Sequence, residues 1–146
     1  MSRSIRSAII LLSVVALAGC AARAKSGNDE DRKVGADATV IGEEALRTAG
    51  SNVLNILPTY VAGLRVTHTD GCPEILMRGT RSLMNSNDPV VYVDGTRAGN
   101  TCVLETLVPT EVQRIEVYPM GVTTRPGYRN NPNGLILVFM KTTQDA

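Results

Sequence analysis

Leu135, Ile136, Leu137, Val138, Phe139 and Met140 follow one another without a polar break. Six residues is strand length, and a strand that is apolar at every position must be covered on both faces. The run therefore belongs in the middle of a sheet with material layered on each side. Flanking strands are available. "PVVYV" leads from Pro89 into Asp94-Gly95, the chemistry of a tight turn that needs positive φ. Arg114 to Tyr118 places Ile115 and Val117 on one face and Arg114 and Glu116 on the other. Gly63 to His68 and Glu74 to Arg78 are also of strand length and composition.

Covering helices are short. Glu43 and Glu44 suit a first turn, Arg47 a last turn, and Gly50 a left-handed cap. Ser51 is placed to cap a second helix that ends before Pro58, with Val53, Leu54, Ile56 and Leu57 on its buried side. A third helical stretch is expected at Val103 to Val108, and Thr110 and Gln113 have capping-box spacing for one further turn. The expected fold is α+β, about five short strands with short helices, over residues 39–146.

Residues 1–19 stand apart. Arg3 and Arg6 precede an apolar stretch, Ala8 to Gly19, that is shorter than the about 20 residues a membrane span requires. It reads as a secretory signal, and "LAGC" at Leu17 to Cys20 resembles a bacterial lipobox. That resemblance implies cleavage before Cys20 and acylation of its thiol and new amino terminus. Several acyl chains anchor stably where one binds only marginally. Residues 20–38, polar and mixed in charge, form a flexible tether reaching about 55–60 Å when extended.

After loss of Arg3 and Arg6 the charge balance falls from +1 to −1, 13 basic residues against 14 acidic. No basic surplus points to nucleic acid. With no Trp, one Phe and four Tyr, a base-stacking platform is also out of reach. Cys72 and Cys102 remain once Cys20 carries lipid, and in an exported chain a disulfide between them is expected. A metal site recruiting His68 and Asp70 beside Cys72 lacks ligand spacing, so no metal or cofactor is expected. The single His68, and the lack of a G-x-S-x-G elbow, a P-loop or a dinucleotide fingerprint, argue against an enzyme.

The order of several short signatures is more informative than any one of them. "LNILPTYVAGLRV" precedes Met77-Arg78-Gly79, followed by Pro89 to Gly95, Pro109 to Val117 and Asn133 to Thr142. In this order the chain resembles the plug domain of TonB-dependent outer-membrane receptors from about Ile41 to Thr142. It departs from the pattern after Val117, where "VYPMGVTTRPGYRNNPNG" reverses and re-spaces the glycine-proline step. A receptor also needs about 22 tilted membrane strands after the plug. The 146 residues leave no room for them, so the expectation is a stand-alone plug-like lipoprotein that does not transport by itself.

The resemblance implies that the set Arg78, Asp94 and Glu116 lies where an arginine and a glutamate of receptors help dock plug to barrel. Arg78 either offers bidentate bonding to a partner's carboxylate or pairs internally with Glu116 or Asp94. The loops Asn85 to Asp88 and Thr123 to Asn133 are candidate binding surfaces, with Arg125, Tyr128 and Arg129 as anchors. The expected function is a non-enzymatic interaction module, lipid-anchored at the outer membrane and facing periplasm or cell surface, binding a protein or small ligand. The alternatives are an accessory subunit working with a separately encoded barrel, and a structural envelope lipoprotein.

Overall fold

The computed structural model describes residues 38–68, 70–77 and 87–142. In chain order the elements are β1 (Thr39–Gly42), α1 (Glu43–Arg47), a 3-10 turn (Val53–Asn55) and α2 (Leu57–Tyr60). They continue with β2 (Arg65–Thr67), β3 (Glu74–Leu76), β4 (Val90–Val93), β5 (Thr96–Arg97) and α3 (Val103–Thr106). A second 3-10 turn (Pro109–Glu111), β6 (Val112–Tyr118) and β7 (Leu135–Met140) complete them. The main sheet runs β1-β6-β7-β4-β5, and β2 and β3 pair separately as a hairpin.

The apolar run is β7, and it lies at the centre of the sheet. It is antiparallel to β6 and parallel to β4. Ile136 and Val138 join the main core with Ile41, Ile115, Val117, Val91, Leu46, Leu54, Leu57 and Leu104. Leu135 and Leu137 join a smaller core on the opposite face with Tyr92 and Tyr118, flanked by Tyr128 and Phe139. Burying a side chain of this size stabilises by roughly 1.5–3 kcal/mol. The two-sided covering that the sequence demands is thus met unequally, by helices on one face and by a loop on the other.

A bulge in β6 makes this layering possible. Val112 pairs with Met140 and Arg114 with Phe139, leaving Gln113 as an extra residue. Val112 and Ile115 lie three residues apart and in a regular strand would face opposite ways; the extra residue lets both enter the main core. Asp94 and Gly95 both have positive φ, +46° and +80°, and close the two-residue β4–β5 hairpin. The disulfide Cys72–Cys102 and a hydrogen bond from Thr101 Oγ1 to the Pro73 carbonyl fasten the β2–β3 hairpin to the approach to α3.

The five expected strands are all present, with β1 and β5 added. Three details of caps and turns differ. Asn52, not Ser51, caps the Val53 turn by accepting from the Asn55 N–H at 3.2 Å. Pro58 lies in the first turn of α2, where its missing N–H costs nothing, instead of ending a helix. The Thr110–Gln113 capping box does not form, because the Pro109–Glu111 turn passes straight into β6 and Gln113 is the bulge. As expected, Glu116 lies with Arg114 on the face away from the main core, and it is fully buried there.

Candidate functional site

A carboxylate carried on a central strand next to apolar β7 has no water to turn to, so its partners must come from the protein. Glu116 has four hydrogen bonds to three residues. Arg114 Nε donates to Oε1 at 3.1 Å, and the Tyr118 hydroxyl donates to Oε2 at 2.9 Å. Arg125 supplies a two-pronged bond, Nε to Oε2 and Nη2 to Oε1, both at 2.5 Å. The Glu116 side chain is 0% exposed and that of Arg125 13%. This is the planar fork geometry at which arginine differs from lysine. Burial works against the Arg125 charge, but the hydrogen bonds and charge of Glu116 outweigh it and leave its pKa raised. Burial pushes the phenols of Tyr118 and Tyr128 up.

The same guanidinium groups lie over an aromatic face. Arg114 is 4.4 Å and Arg125 5.3 Å from the centre of the Phe139 ring. Cation–π attraction therefore adds to the ion pairs. Beside them Tyr92 and Tyr128 meet edge-to-face with ring centres 5.0 Å apart. Arg125 and Tyr128 thus fasten the loop between β6 and β7 onto the second face of the sheet.

The loop is also built from within. Asn131 N–H donates to the Gly121 carbonyl at 2.9 Å, Thr123 N–H to Asn130 Oδ1 at 3.1 Å, and Arg125 N–H to Thr123 Oγ1 at 3.1 Å. Gly121 stands at the neck with φ +66°, and a Cβ there would fall on the Asn131 carbonyl. Only glycine fits that position.

The candidate residues separate accordingly. Arg125 and Tyr128 hold the loop down, whereas Arg129 is exposed on it. Asp94 makes its turn, and its Oδ1 accepts from the Met140 N–H at 2.9 Å, capping the end of β7. Arg78, Asn85, Ser86 and Cys20 lie outside the described residues. Asp88, at the end of the first candidate loop, accepts from the Ile75 N–H at 2.8 Å. The Glu116–Arg125 pairing was missed from sequence, although β7 carried the signal. If both its faces are covered, a charge on the neighbouring strand needs an internal partner.

Among the described residues no group of three or more His, Cys, Asp or Glu could hold a metal ion. None of the described helices is long and apolar enough to cross a membrane.

A family model for the TonB-dependent Receptor Plug Domain matches residues 30–135. The chain belongs to this plug family. The plug is similar to TonB-dependent receptor P26 of Formosa agariphila, 29% identical over 116 residues, covering 77% of this chain and 12% of that receptor. It is similar also to TonB-dependent receptor SusC of Bacteroides thetaiotaomicron, 27% identical over 109 residues, covering 68% and 11%. The chain therefore spans about an eighth of the length of these relatives. Among solved structures, the RagAB peptide importer in its open-open state superimposes with a TM-score of 0.57 at 25% identity, covering 71% of this chain and 12% of that one. The ferric enterobactin receptor PfeA of Pseudomonas aeruginosa shares the fold at 19% identity and a TM-score of 0.56, covering 77% and 18%. Within the plug, Arg125, just ahead of Pro126-Gly127, is the residue that forks onto Glu116.

Proposed function

We propose that this plug domain is a non-enzymatic interaction module of the outer membrane, anchored by lipid on Cys20, that presents the β6–β7 loop to a partner. The observation that carries this reading is the Glu116–Arg125 fork. It sets a loop of irregular backbone in one conformation, with Arg129 and Val122 left outward. A loop ordered beforehand loses less entropy on binding, which is what a recognition surface needs. The "LAGC" segment supports the anchor.

A second reading, an accessory that docks against a separately encoded barrel, is favoured by its relatives, which are TonB-dependent receptors. Both readings are tested by capture of the full chain from detergent-solubilised outer membranes. Wild type is expected to retain a defined envelope protein in fixed stoichiometry, a β-barrel if the accessory reading holds. Arg129→Ala is expected to weaken that capture about tenfold with an unchanged melting temperature. Equal capture by the variant would remove the loop from the site.

A further inference from the structure

Away from the Glu116 cluster, a cleft of about 370 Å³ opens between the disulfide corner at Cys72, the β4–β5 hairpin and the turn at Asn131 to Asn133. This is near the lower end of ligand pockets, which run about 300–1,000 Å³. Its lining is mainly polar, so a greasy ligand has little to gain there.

Arg97, Asn100 and Asn131 bring donors to it. Asn100 and Asn131 both line the cleft, and each spends its Oδ1 on a backbone N–H, that of Cys102 at 3.2 Å and of Asn133 at 2.8 Å. Each amide keeps its NH2 group, with two donors, for a ligand, and its oxygen has already accepted one bond. Arg97 lines the same cleft from the edge strand β5, exposed and without an ion pair among the described residues. One cation with two amide donors suits a single carboxylate. Asp88, also in the lining and bonded to the Ile75 N–H, repels any anion, and a doubly charged one such as phosphate more than a single carboxylate.

We propose that this cleft binds the carboxylate end of a short polar ligand, with Arg97 as its charge partner and Asn100 and Asn131 as neutral donors. The proposal deepens the interaction-module reading and rests on it only for its biological sense. Binding is measured on the chain alone, so failure to capture a membrane partner and failure to bind a carboxylate are separate results.

The test is an NMR titration of the full chain in detergent with trialanine, trialanine amide, acetate and inorganic phosphate. Trialanine is expected to saturate with millimolar affinity and to shift the backbone amides of Arg97 to Thr101 and of Asn131 and Asn133. The trialanine amide, and trialanine on Arg97→Gln, are each expected to bind at least about tenfold more weakly, with the variant's melting temperature unchanged. Acetate matching trialanine assigns the site to the bare carboxylate; weaker acetate assigns it to a peptide terminus. Equal binding of the amide, tighter binding of phosphate, full binding by Arg97→Gln, shifts confined elsewhere, or no saturation would each overturn the proposal.

Discussion

At the scale of single residues, the decisive group is Glu116. Its carboxylate is buried, so each partner is worth more than a surface ion pair, whose value is about 0–1 kcal/mol. Removing the sole partner of a buried charge costs about 3–5 kcal/mol. Arg114 and Tyr118 stay behind when Arg125 is lost, so Arg125→Ala is expected to cost less, about 2–3 kcal/mol. Arg125→Lys should recover part of this, since an ammonium cannot reproduce the fork. Chemical denaturation of the variants gives the numbers; a stability equal to wild type for Arg125→Ala would mean that the fork does not hold the loop. Arg129, exposed on the same loop, belongs to the opposite class, where substitutions stay within about 0.5 kcal/mol.

Among elements, two long-range ties hold the short pieces together. The disulfide closes a sequence separation of 30 residues, which loop entropy values at roughly 3.5–4 kcal/mol as an upper figure. It fixes a hairpin of two three-residue strands that has little core of its own. The other tie joins α1 to the end of β7. Lys141 Nζ and Arg47 Nη2 both donate to Glu43 Oε1, at 2.9 and 2.8 Å. The Lys141 and Arg47 hydrogen bonds, in that order, lower the Glu43 pKa from 4.5 to about 2. A carboxyl depressed in the folded state adds stability that is present in full above its unfolded pKa and fades as pH falls through the folded one. The melting-temperature gap between wild type and Glu43→Gln is therefore expected to be constant above about pH 5 and to close towards pH 2. A gap independent of pH would show that the tie is not ionic. How much of this was legible follows from element length. The apolar run of β7, the Asp94-Gly95 turn and the α1 charges could all be read because each signal is local. Strand β1 offers four residues of alternation ahead of a helix start, and β5 only two residues, too few to stand out from their turns. The Glu116 fork joins residues nine apart across a loop with no period, so only the covered faces of neighbouring β7 pointed to it.

For the whole molecule, a plug-family sheet carries helices on one face and an internally bonded, charge-pinned loop on the other. That asymmetry makes the loop the natural presenting surface and the helical face the scaffold. The central claim is that partners are met through the loop. It is tested most directly by placing a photo-crosslinking amino acid at position 129 or, on the opposite side of the sheet, at position 60. Tyr60, the last residue of α2, whose buried residue is Leu57, is 43% exposed, and Arg129 is exposed too, so both positions tolerate replacement. In intact cells, position 129 is expected to yield a discrete adduct with an outer-membrane protein, and position 60 to yield none. An adduct from position 60 alone, or from neither position, would contradict the account.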